Sequence, residues 1–360
     1  MFRLAPYIVR IGRGKLSPVS PNFQSAMRQL SQSPKEERLI FKWFKPMSFG
    51  ILGCICYLQF FHVVEREQKK YDMDLQFEGI SVKLYKFLPL STLSRVWGFL
   101  NNLTLPVFLR EPILKLYINT FSCNLSEAAI RDLTYYKNLA EFFRRKLRPE
   151  VRPIDKTADL VSPSDGRILH FGSCSNGNLE QVKGVKFRIF ALLGKTELDQ
   201  RLKEENVDLY YCTIYLAPGD YHRFHAPADW QITFRRHFPG KLLSVSAIIA
   251  RKVRGLFTIN ERVVYTGHWK HGFFGMIPIG ATNVGNIKIY HDKELRTNLP
   301  KRFLMDQNPE STTSVEFKKG DHFGEFNLGS SIILVFEAPK NFKFAVNRGE
   351  KIKMGQKLGQ

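Results

Sequence analysis

The stretch Phe326-Asn327-Leu328-Gly329-Ser330-Ser331-Ile332-Ile333-Leu334-Val335-Phe336 joins a Gly-Ser peptide directly to an apolar run. The run from Ile332 to Phe336 is short and rich in β-branched and aromatic residues, which predicts a buried β-strand. Upstream of it, Lys318-Lys319-Gly320-Asp321-His322 is charged and irregular. Gly329 lets a neighbouring side chain approach the main-chain carbonyl from any side, and Ser330 carries a hydroxyl one residue away. The pair has the parts for an intramolecular attack on the backbone. The chain would then cut itself at Gly329–Ser330, and the new amino terminus would become a cofactor. A Gly-Ser pair before a strand is also ordinary turn chemistry, so its reading depends on what accompanies it.

Two other turn-rich segments accompany it. Ser162-Pro163-Ser164-Asp165-Gly166-Arg167 offers a carboxylate, and Ala217-Pro218-Gly219-Asp220-Tyr221-His222-Arg223-Phe224-His225-Ala226-Pro227 offers two imidazoles. Asp165, His225 and Ser330 make an Asp/His/Ser constellation, in a chain order that is permitted because triad roles follow geometry. A serine alcohol is a poor nucleophile at neutral pH without such a base. The His-x-x-His spacing of His222 and His225 also suits a metal. No Cys or carboxylate cluster at ligand spacing stands beside it, so no metal is expected. His170, His237, His268, His271, His291 and His322 read as structural or surface residues.

With these residues in place, five segments in order resemble the phosphatidylserine decarboxylases, specifically the mitochondrial, membrane-anchored kind. They are Asn138-Leu-Ala-Glu-Phe-Phe-Arg-Arg-Lys-Leu147, the Ser-Pro-Ser-Asp-Gly segment, Asp220-Tyr-His-Arg-Phe-His225, Gly280-Ala-Thr-Asn-Val-Gly285 and Lys319-Gly-Asp-His-Phe-Gly-Glu-Phe-Asn-Leu-Gly-Ser-Ser331. The resemblance implies that His225 takes the Ser330 proton while Asp165 orients the imidazole, and that Ser330 attacks the Gly329 carbonyl. Elimination and hydrolysis would leave a pyruvoyl group, derived from Ser330, on the fragment 330–360. Phosphatidylserine would condense with that ketone as a Schiff base, an electron sink that lets carbon dioxide depart. His222 is the candidate proton donor for the last step, which releases phosphatidylethanolamine. Where the family usually has Leu-Gly-Ser-Thr, this chain has Ser331 in place of the Thr. Cleavage is expected to survive that change, since the hydroxyl is kept.

Composition sets outer bounds. A chain of 360 residues has room for one sizeable core plus appendages. Its 44% hydrophobic content, with 30 Phe, indicates a folded protein. A formal charge of +21 calls for an anionic partner such as an acidic membrane surface. Nothing like a nucleic-acid module is legible, so no nucleic acid is expected. The five cysteines form neither a disulfide framework nor a Cys-x-x-Cys pair.

Residues 1–45 read as a mitochondrial targeting segment, basic and Ser-rich with no acidic residue before Glu36. Residues 46–64 read as one transmembrane helix, although Met47 to Val64 is near the lower limit of the roughly 20 apolar residues that cross a bilayer. Charge flanking puts the basic amino terminus in the matrix and the remainder in the intermembrane space, at the inner membrane. Residues 65–150 read as a membrane-proximal helical region. Leu88, Leu90, Leu93, Val96, Trp97 and Phe99, edged by Lys86 and Arg95, suit a helix lying in lipid headgroups. Ser126 to Arg148 reads as a second helical stretch. Residues 151–360 read as the catalytic domain, a β-rich unit self-cleaved between Gly329 and Ser330. The expected fold class is thus α+β: amphipathic N-terminal helices and one transmembrane helix, followed by a mainly antiparallel β-rich domain. The fragments 1–329 and 330–360 would stay together without a covalent bond. The alternatives are a serine hydrolase using Asp165, His225 and Ser330 on an external ester or amide, and a non-catalytic basic membrane protein. The first lacks a Gly-x-Ser-x-Gly elbow, and the second leaves the Asp, His and Gly-Ser motifs without a role.

Overall fold

The computed structural model describes Tyr85, residues 88–174, 178–182, 185–196, 198, 208–282, 286–300, 303, 309–327 and 330–360. The apolar run quoted above is strand β13 (Ser330–Glu337), near the middle of an eight-stranded sheet. In spatial order the sheet runs β11 (Glu310–Phe317), β7 (Trp230–Phe238), β8 (Arg262–Trp269), β9 (Gly272–Ile279), β13, β5 (Leu209–Leu216), β2 (Gly166–Ser173) and β14 (Lys351–Ile352). Every neighbouring pair is antiparallel.

The unbroken apolarity of β13 has a simple cause: both of its faces are covered. Side chains alternate across a strand, so Ile332, Leu334 and Phe336 enter one buried cluster with Ile214, Phe274 and Met276. Ile333 and Val335 enter a second cluster on the opposite face, with Phe273, Ile277 and Tyr211. Three short helices, Ile189–Leu193, Ala247–Lys252 and Leu256–Ile259, supply apolar residues to that second cluster.

A smaller antiparallel sheet, β10 (Ile287–Ile289), β12 (His322–Phe326) and β6 (Arg223–His225), adds Phe224, Phe323 and Phe326 to the first cluster. Strand β1 (Leu160–Val161) pairs with β15 (Lys357–Gly359), and β3 (Asn178–Val182) with β4 (Val185–Arg188). The expected α+β class with antiparallel sheets is what the described residues form.

Helices α1 (Leu90–Asn102) and α2 (Val107–Phe121) precede the sheets. α1 buries Leu90, Ser94, Trp97 and Asn101, spaced along one stripe, and exposes Leu93, Val96 and Phe99. The expected helix over Ser126–Arg148 is a difference: the structure has two single-turn 3-10 segments and one short helix, α3 (Leu139–Phe143). The reason is local. Asn124, Asp132 and Asn138 each accept a hydrogen bond from a backbone N–H two or three residues onward. Such side chains offer the backbone an alternative to a continuous helix. None of the helices described is long and apolar enough to cross a membrane. The segments 1–45 and 46–64, expected to be targeting and transmembrane, lie outside the described residues.

Candidate functional site

Ser330 opens β13, opposite Leu216 of β5, and Ser331 pairs with Ile279 of β9. Its side chain is fully buried, and its hydroxyl donates to the Ile279 carbonyl. Gly329 lies outside the described residues. Leaving Leu216, the chain enters a tight turn in which the Asp220 carboxylate accepts from the Ala217 N–H at 2.8 Å. The N-terminal helices brace this turn. Tyr117 of α2 donates its hydroxyl to the Pro218 carbonyl at 2.8 Å, and Arg145 donates to that of Gly219 at 3.1 Å. Any Cβ at position 219 would stand 2.1 Å from the Phe121 carbonyl oxygen, so the close approach requires glycine.

His222 follows the turn. Its backbone carbonyl accepts from the Phe326 N–H at 3.0 Å, which ties it to the strand end just before the Gly-Ser pair. Its ring lies against Phe143, centroids 4.0 Å apart, and is fully buried. Nδ1 meets the Asp220 carbonyl at 2.8 Å, so that nitrogen carries the proton and Nε2 keeps its lone pair. Nε2 has no hydrogen-bond partner among the described residues. Burial, with the nearby Arg145 charge adding to it, depresses the pKa to about 3.

His225 ends β6, and its N–H donates to the Pro163 carbonyl at 2.8 Å, bringing the Ser-Pro-Ser-Asp segment alongside. Its Nδ1 meets the Gly320 carbonyl at 2.9 Å, and Nε2 accepts from the Tyr221 hydroxyl at 3.0 Å. Burial lowers its pKa from the ordinary value, with Asp165 and Asp321 opposing the shift, so the ring is neutral at neutral pH.

Asp165 takes a part that differs from the expected one. Its carboxylate accepts from Arg152 Nε at 2.8 Å, from Arg152 Nη2, and from the Met354 N–H at 2.9 Å. Arg152 in turn bridges to Glu127 at 2.6 Å. The carbonyl of Gly320, not Asp165, sets the His225 tautomer, and Asp165 acts on the ring through space as a nearby negative charge. No hydrogen bond among the described residues joins Asp165 to His225 or His225 to Ser330.

Set beside known proteins, residues 139–360 match the family described as Phosphatidylserine decarboxylase. The chain belongs to the phosphatidylserine decarboxylase family. A relative from Pongo abelii named phosphatidylserine decarboxylase proenzyme, mitochondrial, is 48% identical over 332 residues, covering 85% of this chain and 81% of its own. Its namesake from Caenorhabditis elegans is 39% identical, over 91% of this chain and 86% of its own. Phosphatidylserine decarboxylase proenzyme 1, mitochondrial, from Saccharomyces cerevisiae is 36% identical, over 76% and 73%.

Within this family member, sequence reasoning passed over the residues that hold the named ones. Gly320 reaches His225 from 95 residues away and Arg152 reaches Asp165 from 13, with no local pattern to announce either, whereas Tyr221 stands four residues from His225 inside the quoted His-rich segment. His322, which reads from the sequence as a structural or surface residue, pairs across strands with His225, the rings stacked at 5.0 Å. The signal available was its place in the charged run before the Gly-Ser pair.

Proposed function

We propose that this protein decarboxylates phosphatidylserine to phosphatidylethanolamine, using a pyruvoyl group made from Ser330 when the chain cuts itself between Gly329 and Ser330. The observation that carries this reading is the family match over residues 139–360, which takes in all four candidate residues. The word proenzyme in the relatives' names agrees with a chain that matures by cleavage.

The site suits such a group. Position 330 is buried and begins a strand paired on both sides, so an amino terminus created there would stay fixed between β5 and β9. In maturation Ser330 Oγ turns from the Ile279 carbonyl to the Gly329 carbonyl carbon, and its proton passes to Nε2 of His225 as that nitrogen gives up the Tyr221 hydroxyl. The Asp165 charge favours the imidazolium that results. The amide becomes an ester, elimination releases residues 1–329, and hydrolysis with loss of ammonia leaves the ketone at 330. A pyruvoyl group held there between β5 and β9 would supply an electron sink for the loss of carbon dioxide from the bound headgroup.

His222 handles protons in this reaction. Its unpartnered Nε2 accepts a proton as the substrate's ammonium becomes a free amine, and returns it to the carbon that has lost carbon dioxide. The depressed pKa disfavours the protonated ring, so it opposes the uptake as much as it favours the return. Leu93, Val96 and Phe99 on α1 and Val107 and Phe108 on α2 are exposed, and α2 braces the turn before His222. This supports an interfacial seat on an anionic membrane. Mitochondrial relatives and the basic amino terminus support the inner membrane, with residues 65–360 in the intermembrane space. The hydrolase alternative rests on the same three residues and has no further observation in its favour.

The test is the intact mass of the purified protein beside a Ser330→Ala variant. A fragment 330–360 bearing an N-terminal pyruvoyl group, absent from the variant, is expected. An uncut chain in both, each correctly folded, overturns the reading.

A further inference from the structure

Strands β10, β12 and β6 carry apolar residues on one face and a grid of polar side chains on the other. Register sets Lys288, Glu325 and Arg223 in a row across the three strands, with His322 opposite His225 in the next row. A bulge between His322 and Gly324 keeps both β12 residues on this face. Tyr290 completes the second row, its ring 4.3 Å from that of His322 and its hydroxyl bonded to Glu325. Ile287, Ile289, Phe224 and Phe323 point the other way, into the core.

The grid holds more positive charge than it uses. Glu325, 4% exposed at its side chain, faces Arg144 at 3.2 Å, Lys288 at 3.5 Å and Arg223 at 3.8 Å. Among the described residues, three cations share this one carboxylate, which leaves two positive charges uncompensated, and Lys146 stands close enough to bear on His322. Glu325 works as a template: its oxygens are occupied by Tyr290, Arg144 and Lys288, so it gathers cations while offering little to repel an anion. All three cations reach solvent, with side-chain exposures of 23%, 52% and 15% for Arg144, Lys288 and Arg223. The buried Nε2 of His322 has no hydrogen-bond partner among the described residues.

We infer that this face seats the phosphodiester of the substrate headgroup, with Arg144, Lys288 and Arg223 as the anion's ligands. The inference rests on the decarboxylase reading and deepens it. Arg223 and His225 are two residues apart on β6, so their Cα atoms are about 6–7 Å apart and their side chains share a face. In a serine phosphodiester the amine and phosphorus are separated by two carbons and an oxygen, a span of comparable size. A phosphate on the Arg223 row therefore presents the amine toward the His225 end of the grid. The recognition is of charge and geometry, as guanidinium and ammonium groups give a phosphate.

The experiment uses processed, full-length enzyme carrying Lys288→Gln, alone and with Arg144→Gln, and a Lys288→Arg control. Substrate is presented in phosphatidylcholine vesicles, with soluble glycerophosphoserine and inorganic phosphate as competing ligands. Fragment release is scored first: a wild-type chain that stays whole and inactive overturns the decarboxylase reading and this assignment with it. Given normal release, Lys288→Gln is expected to raise KM and the glycerophosphoserine inhibition constant about tenfold, the effect of losing one charge-assisted contact. The kcat should stay within about twofold, the double variant should go further, and Lys288→Arg should restore both constants. Inorganic phosphate should compete weakly and lose its effect in the same variants. Unchanged constants for glycerophosphoserine overturn the assignment. So does a loss confined to binding of phosphatidylglycerol vesicles, which would make the grid a membrane contact.

Discussion

At the scale of single residues, Arg152 decides the state of the site's carboxylate. Its guanidinium is bidentate on Asp165, shares Glu127, and is nearly buried, with 5% of the side chain exposed. Arg152→Met strips Asp165 of its guanidinium partner and leaves it only the Met354 N–H in a nearly buried setting, a change that costs about 3–5 kcal/mol. The expected outcome is a lower urea midpoint together with slowed fragment release; an unchanged midpoint would show that Asp165 does not depend on this partner. Asp165, His222, His225 and Ser330 are proposed from short motif segments that resemble the family. Such segments do not name their partners. A backbone carbonyl such as that of Gly320 is offered by every residue, and only β12 beside β6 determines which one meets the ring.

At the scale of elements, β13 and the Ser126–Arg148 stretch show what periodicity can and cannot carry. Five consecutive apolar residues, short in run and rich in β-branched and aromatic types, read as a strand covered on both faces, and that is how β13 sits. The longer stretch has helical spacing too, but three short polar side chains capture backbone N–H groups and break it into turns. Strands β8, β9 and β12 carry glycines that interrupt the apolar pattern; Gly267 sits where a Cβ would lie 1.9 Å from the Gln231 carbonyl oxygen. The exposed face of α1 and α2 gives a direct test of the membrane reading. Phe99 and Phe108 are 67% and 68% exposed, so Phe99→Asp with Phe108→Asp should leave the thermal midpoint within a few degrees. Cosedimentation with anionic vesicles is expected to fall severalfold. Equal cosedimentation of both proteins would refute the interfacial seat.

At the scale of the whole molecule, buried neutral histidines make stability depend on pH. His222 titrates near 3 and His322 near 4 in the folded chain, against 6.5 for an exposed imidazole, chiefly because burial disfavours the cation. Below about pH 6.5 the unfolded chain takes up protons that the folded chain refuses, so stability falls as the pH drops toward 4. For His222 alone the slope is about 1.4 kcal/mol per pH unit. Urea midpoints of the uncut Ser330→Ala protein at pH 7 and pH 5 should differ accordingly, and His222→Phe should flatten the difference; a pH-independent midpoint would contradict it. The position of β13 also bears on the working life of the protein. If residue 330 becomes the reactive group, that group is welded to a strand whose neighbours on both sides belong to the other fragment. It cannot be exchanged as a dissociable cofactor is, and a single side reaction that destroys it retires the entire polypeptide. Replenishing activity then means making new chains, so a cell would set its capacity for this reaction by synthesis and turnover of protein, with no cofactor supply to adjust.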